Sequence, residues 1–254
     1  MKAELRVGTS GWSYKHWIGV FYPPAMRSRE WLTFYASHFD TVEINSTFYH
    51  LPGEAAVQSW FEQTPDAFLF AMKLSRFITH MKKLRHAEEA LDRFIARIQH
   101  LRHKTGPILI QLPPNFNFHA ELLQTFMTQI RSRLPQALFA IEPRNPSWFS
   151  DQALETYRQC DLALCFADST DQQPDLTRIT GRFIYLRFHG RNGLYQGDYT
   201  REHLQPYAEK IREWLQEGLP VYAYFNNDIG GFAVKNALML RDMVQTKGPP
   251  RPQE

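Results

Sequence analysis

The sequence predicts an α/β protein: a single closed (β/α)8 TIM barrel whose sixth helix is short or missing. Three observations predict it. Eight short strand-like runs succeed one another, several of the intervals between them carry helical periodicity, and no linker, internal repeat or low-complexity stretch divides the chain. Alternation of strand and helix implies a parallel sheet, and a count of eight favours closure over an open sheet. The 254 residues also match the length typical of this barrel, about 250, which α/β barrels reach as one domain.

The expected strands are Leu5–Thr9, Thr41–Asn45, Phe68–Lys73, Ile108–Leu112, Leu138–Glu142, Leu162–Ala167, Phe183–Phe188 and Val221–Phe225. Most are four to six residues long and bounded by Gly, Pro, Asn or Asp, the residues that punctuate strands. Leu91, Phe94, Ile95, Ile98 and Leu101 form an apolar stripe at helical spacing after the third strand. Leu122, Leu123, Phe126 and Ile130 do the same after the fourth, and Leu204, Tyr207, Ile211, Trp214 and Leu215 after the seventh. The interval between the sixth and seventh strands is the shortest. Its DSTDQQPDLTRITG segment reads as loop, so a helix there is short or absent. One domain is expected over residues 1–246, with a frayed tail at 247–254.

Hydrophobic residues are 43% of the chain and charged residues 22%, enough to bury a sizeable core. The formal charge of +3 permits an anionic ligand, but no lysine- or arginine-rich block points to duplex nucleic acid. Two cysteines, Cys160 and Cys165, without a CxxC pair exclude a disulfide scaffold or cysteine zinc site and fit a reducing cytoplasm. The MKAELRVGTS start has no apolar core of a signal peptide, and no run of about 18 apolar residues occurs, so neither export nor membrane spanning is expected.

Barrel strands alternate inward and outward side chains, and active sites sit at their C-terminal ends. Read by parity, strand two ends in Glu43 and Asn45, strand three in Lys73, strand four in Gln111, and strand five in Glu142 and Arg144. Strand six offers Phe166 and Asp168, strand seven Tyr185, Arg187 and His189, and strand eight Asn226 and Asp228. A buried charge is costly unless paired, so this convergence points to a ligand site. It also admits a structural reading, a ring of ion pairs closing the barrel top. Such a ring would join Lys73 with Glu43, or the arginines with Glu142 or Asp168.

These strand ends fall within segments that resemble a known family. GTSGWSY (8–14), VEINSTFY (42–49), FAMK with the later TH (70–73, 79–80), ILIQLPPNF (108–116), AIEPRNPSW (140–148), YLRFHGR (185–191) and YAYFNND (222–228) resemble the motifs of the DUF72 (YecE-like) family. The resemblance spans nearly the whole chain. It implies a TIM barrel and no established reaction, so function has to be argued from the site.

Arg144, Arg187 and Arg191 favour bidentate recognition of phosphate or carboxylate, and barrels often carry a phosphate site near strands seven and eight. Trp12, Tyr14, Phe48, Tyr49, Phe116, Trp148 and Tyr195 cluster near the same ends and suit either a ring-bearing ligand or packing beneath loops. Glu43 and Glu142 lead as an acid/base pair. Lys73 would form a Schiff base only if its pKa were depressed, and nearby carboxylates are expected to raise it. His189 is a proton shuttle or metal ligand, and His80 is within reach by a loop. Glu43, Glu142, Asp168, His189 and Asp228 leave room for a single divalent ion, but no HExxH or comparable signature fixes a metal or other cofactor.

The leading expectation is an enzyme acting on an anionic phosphate- or sugar-containing substrate, a hydrolase of phosphoester or glycosidic bonds. Glu43, Glu142, Lys73, His189 and Asp168 are its catalytic candidates. Trp12, Tyr14, Asn45, Tyr49, His80, Gln111, Arg144, Trp148, Arg187, Arg191, Tyr195, Asn226 and Asp228 are its binding candidates. The rival expectations are a non-catalytic module binding a metabolite or nucleic-acid fragment, and a metal-dependent sugar isomerase or lyase.

Overall fold

The computed structural model describes residues 3–170, 173–191, 193 and 195–246. The tail expected at 247–254 lies outside them. Eight strands are present: β1 (Leu5–Thr9), β2 (Thr41–Ile44), β3 (Leu69–Lys73), β4 (Thr105–Gln111), β5 (Phe139–Glu142), β6 (Leu162–Asp168), β7 (Ile184–Phe188) and β8 (Val221–Phe225). All ladders are parallel, in the order β1-β8-β7-β6-β5-β4-β3-β2. The barrel is therefore closed except at the β1/β2 seam.

That seam is joined by one parallel bridge, Ser10 with Glu43, and by a side chain. The buried Tyr35 hydroxyl accepts from the Thr9 N–H at 2.9 Å and donates to the Thr41 carbonyl at 3.0 Å. It occupies the place a direct ladder bond would fill. Gly8 makes this approach possible, because a Cβ there would lie 2.2 Å from the Thr41 carbonyl oxygen.

The helices are α1 (Trp31–Ala36), α2 (Ser46–Tyr49), α3 (Glu54–Glu62), α4 (Glu88–Ile98), α5 (Ala120–Arg133), α6 (Asp151–Gln159), α7 (Arg201–Gln216) and α8 (Phe232–Gln245). The three periodic stripes fall on α4 with the turn that follows it, on α5 and on α7, and bury Leu91, Phe94, Phe126, Ile130, Ile211 and Trp214 against the barrel. Side chains cap the starts: Ser150 accepts from the Ala153 N–H of α6, and Thr200 from the His203 N–H of α7.

Among the described residues no helix lies between β6 and β7. The segment instead lies along β6. The Thr180 hydroxyl accepts from the Leu164 N–H and donates to the Leu162 carbonyl, satisfying β6 backbone before pairing with β7 begins at Cys165–Tyr185.

Apolar side chains fill two layers. The barrel interior holds Ala71, Leu109, Ala140, Ala163 and Cys165, opposed by Tyr185 and Tyr224, whose ring centroids are 5.3 Å apart. The larger layer lies between strands and helices. The inward residues of β6 are thus Ala163, Cys165 and Ala167, not the expected parity of Phe166 and Asp168. Phe166 faces outward and stacks on Trp214 of α7, centroids 5.7 Å apart, and Asp168 follows it outward.

Candidate functional site

At the C-terminal mouth the inward ends of β2, β5 and β7 meet in a buried ionic clamp. Arg187, 1% exposed, donates from Nη2 to Glu43 Oε1 at 2.8 Å and from Nη1 to Glu142 Oε2 at 2.5 Å. Ser10 Oγ and the Tyr185 hydroxyl also donate to Glu43, at 2.6 and 2.7 Å. Gln111 Nε2 and Arg144 Nη2 each donate to Glu142 Oε1 at 2.8 Å. Burial alone would push both carboxyls up. Arg187, with the other donors, outweighs it and holds Glu43 below and Glu142 well below the usual carboxylate range.

Lys73 ends β3 in the same mouth and is 8% exposed. Its Nζ lies 4.0 Å from the centroid of the Phe48 ring, and among the described residues it has no hydrogen-bond or carboxylate partner. Its backbone is fixed, because the Thr47 hydroxyl donates to the Lys73 carbonyl at 2.7 Å. Burial, then the Arg187 charge, lowers the amine to about 8, although Glu142 and Glu43 pull the other way. The expectation that the carboxylates would raise it is corrected: Arg187 has already neutralised them, so desolvation decides.

His189 caps the row. Asn226 Nδ2 lies 3.2 Å from His189 Nδ1, and Asn45 Nδ2 lies 3.5 Å from Asn226 Oδ1. With Nδ1 accepting from the Asn226 amide, the ring proton belongs on Nε2. That nitrogen is 3.3 Å from Glu142 Oε1 but has no aligned hydrogen-bond partner. Burial lowers the His189 pKa, reinforced by Arg187 and Arg144 and opposed by Glu142. His80, on the wide turn Phe77–Met81, is held neutral to about 4 by burial and then by the Lys73, Arg76 and Arg144 charges.

A cavity of about 460 Å³ opens beside the clamp. Glu142, Arg144 and His189 line it on the clamp side, together with Leu164, Cys165, Phe166 and Ala167 of β6. Its outer wall is Ser169, Thr170, Gln173, Pro174, Asp175 and Arg178 of the segment that stands where a sixth helix would be. Absence of that helix makes room for the cavity. Burial pushes the Cys165 thiol well up, so it is packing rather than a nucleophile.

Several expected site residues lie elsewhere. Asp168 faces α7, accepting from the Tyr199 and Tyr207 hydroxyls at 2.6 and 2.5 Å, with Arg191 Nη1 at 3.5 Å. Of the two arginines expected to form a phosphate locus near strand seven, Arg191 is thereby drawn to Asp168, whereas Arg187 lies within the clamp. Trp148 is fully buried and donates to the Phe116 carbonyl, so this aromatic pair packs beneath a loop. Trp12 packs edge-on against Trp60. The Tyr14 hydroxyl donates to the Ser10 carbonyl, and Asp228 pairs with His16 at 3.4 Å. Tyr49 is 70% exposed at the rim. Tyr195 stands with its ring centroid 6.3 Å from that of His189 and marks the mouth from β7.

Ser10 was not among the expected site residues, and Tyr185 was expected only as an inward strand-end residue, yet together they complete the Glu43 shell. The inward parity of strand one, continued past Gly8, reaches Ser10. Among the described residues no group of three or more His, Cys, Asp or Glu could hold a metal ion. The oxygens of Glu43, Glu142 and Asp168 are already taken by arginine, tyrosine, serine and glutamine donors, so the proposed donor set does not assemble. No described helix is long and apolar enough to cross a membrane.

A family model described as "Protein of unknown function DUF72" matches residues 6–254. The chain belongs to the DUF72 family. UPF0759 protein YecE of Escherichia coli (strain K12) is 31% identical over 89% of this chain and 87% of its own. UPF0759 protein YunF of Bacillus subtilis (strain 168) is 26% identical over 94% of each. Among solved structures, a DUF72 family protein from Thermotoga maritima MSB8 superposes with a TM-score of 0.85 at 27% identity. That alignment covers 96% of this chain and 100% of the other. The DUF72 barrel expected from the motifs is therefore the fold of this chain.

Proposed function

We propose that the mouth is the substrate site of an enzyme acting on a small anionic compound such as a sugar phosphate. One observation carries this reading, the charge balance of the mouth. Three cations, Lys73, Arg144 and Arg187, surround two carboxylates, Glu43 and Glu142, and the excess resides on a buried ammonium with no anionic partner among the described residues. An isolated buried charge is costly, and an anion entering beside Arg144 offsets that cost.

Hydrolysis by a carboxylate pair has weaker support. A general acid must hold its proton near the working pH, whereas Arg187 keeps both Glu43 and Glu142 ionised. They serve better as the frame that fixes Arg187. Lys73, by contrast, is lowered to about 8, chiefly by burial.

Thermal denaturation with inorganic phosphate and with glucose 6-phosphate tests the reading. A ligand at a hundred times its Kd adds about 2.7 kcal/mol of stability, so the midpoint of the wild type should rise, saturate and weaken in high salt. Lys73→Met should lose most of that rise. Equal midpoints with and without ligand, or equal rises in both proteins, would remove the reading.

A further inference from the structure

We infer that Lys73 is a covalent nucleophile that condenses with the carbonyl carbon of an aldehyde or ketone bearing an acidic group. The proposal rests on the anion reading for the acidic group alone; the amine and its surroundings carry the rest. Lysines that form Schiff bases combine a desolvated amine, a nearby cation and a donor for the carbonyl oxygen. The first two meet at Lys73, on whose amine Arg187 and Arg144 bear, and His189 directly follows β7 in the same barrel mouth.

The amine projects from the last residue of β3, with its backbone pinned by Thr47. Phe48 covers one side and offers no acceptor, and among the described residues none accepts from the ammonium. A lysine recruited for structure would be expected to resemble Lys104, which is also buried. Lys104 Nζ donates to the Phe61 carbonyl at 2.6 Å and to the Thr64 carbonyl at 2.8 Å. Lys73 has no such ligation.

The Asn45–Asn226–His189 row supplies the donor. It directs the imidazole proton to Nε2, a buried nitrogen 3.3 Å from Glu142 Oε1 but without an aligned hydrogen bond among the described residues, on a side chain that lines the cavity with Arg144. Arg144 is the most exposed cation of the clamp, 38% by side chain, and suits the acidic group of the substrate. The lowered basicity of Lys73 adds a free-amine fraction near neutral pH that a solvated lysine lacks.

The chemistry closes without an oxidant or reductant. Lys73 first releases one ammonium proton to solvent. The Nζ lone pair then forms a C–N bond as the carbonyl π pair moves onto oxygen, which accepts a hydrogen bond from His189 Nε2; the new nitrogen cation gives up one proton, and the oxygen takes up that proton and the one released earlier, both through solvent. Loss of that oxygen as water leaves a protonated imine, so ammonium plus carbonyl yields iminium plus water.

Trapping with sodium cyanoborohydride tests the inference on the full-length chain. Dihydroxyacetone phosphate is the acidic probe and dihydroxyacetone the neutral one, with peptide mapping of the reduced adduct. The expected result is one adduct per chain on Lys73, at least tenfold more with the phosphate-bearing probe (about 1.4 kcal/mol) and suppressed by inorganic phosphate. K73M and K73R should lack it while keeping the wild-type circular dichroism. No adduct, or adducts scattered equally over surface lysines in wild type and K73M, would overturn it. A phosphate-induced rise in melting midpoint without an adduct would sink this inference and leave the anion reading standing. A Lys73 adduct without any phosphate effect would do the reverse.

Discussion

Lys73 and Phe48 stand in direct contact, Nζ 4.0 Å from the ring centroid, in a mouth whose carboxylates are already committed to Arg187. The ring attracts a cation, by about 2 kcal/mol or more at a desolvated site, but it does not replace the water the ammonium has lost. Lys73 therefore weakens the fold in which it sits.

Its pH signature follows from that cost. The folded chain binds this proton less tightly than the unfolded chain, with a pKa of about 8 against 10.5. Stability rises with pH between those values, because there the unfolded state holds more protons, and the full cost is present below about 8. Lys73→Met should stabilise the protein at pH 7 by up to roughly 3 kcal/mol. It should also flatten the rise between about 8 and 10.5. Urea denaturation of both proteins across this range checks it; a variant less stable at pH 7 refutes the account.

Arg187→Met should act in the opposite sense. It leaves Glu43 and Glu142 buried and facing each other's charge, 0% and 1% exposed. Removing one member of a buried ionic group costs about 3–5 kcal/mol. A urea midpoint within error of the wild type would show that the clamp does not hold the barrel mouth.

The same clamp sets an acid limit. Glu43 and Glu142 have folded-state pKa values below the ordinary 4.5, so their contribution is complete above that value and is lost as pH falls below it. Each extra proton bound by the unfolded chain gives a slope of about 1.4 kcal/mol per pH unit. Glu142→Gln removes one such group, so its acid limb should be shallower by up to about that amount whatever its stability at pH 7. An unchanged slope would mean that Glu142 is not held ionised.

At the seam, Tyr35→Phe removes the hydroxyl that accepts from Thr9 and donates to Thr41. A buried backbone group left without its partner costs about 1–3 kcal/mol. The loss should appear in denaturation and as faster hydrogen exchange of the Thr9 amide, with β7 amides little changed. Unaltered exchange at Thr9 would show that the seam closes without Tyr35.

The strand count, the missing helix and most inward strand ends were legible because those strands carry turn residues at their ends and polar residues at their inner tips. Strand β6 was not. LALCFA is apolar on both faces, as buried parallel strands are, so hydrophobicity alone does not reveal which parity points inward. Size does: Ala163, Cys165 and Ala167 alternate with Leu162, Leu164 and Phe166. The small set faces an interior already filled by Tyr185, Tyr224 and Arg187. Hydrophobicity without that cue puts Asp168 in the mouth, whereas Tyr199 and Tyr207 of distant segments hold it outside. Pairings were equally hidden. Sequence offered Lys73 as a partner for Glu43, but only the barrel shows that the longer fork of Arg187 reaches both glutamates and leaves the lysine alone.

His189 offers the sharpest spectroscopic test of the mouth. Its Nδ1 faces the Asn226 amide nitrogen, whose Oδ1 faces Asn45 Nδ2, so an uninterrupted run of donors from Asn45 places the proton on Nε2. Burial first, then Arg187 and Arg144, lower its pKa below 6.5; the ring therefore stays neutral at pH 7, and Nε2–H is a donor rather than a base. Nitrogen-15 NMR should show the Nε2–H tautomer in the wild type from pH 6.5 upward. Asn226→Asp reverses the local polarity, since a carboxylate can only accept, and should move the proton to Nδ1 and raise the pKa. An Nδ1–H tautomer in the wild type, or one unchanged by Asn226→Asp, would break the row and with it the donor that a carbonyl oxygen would meet.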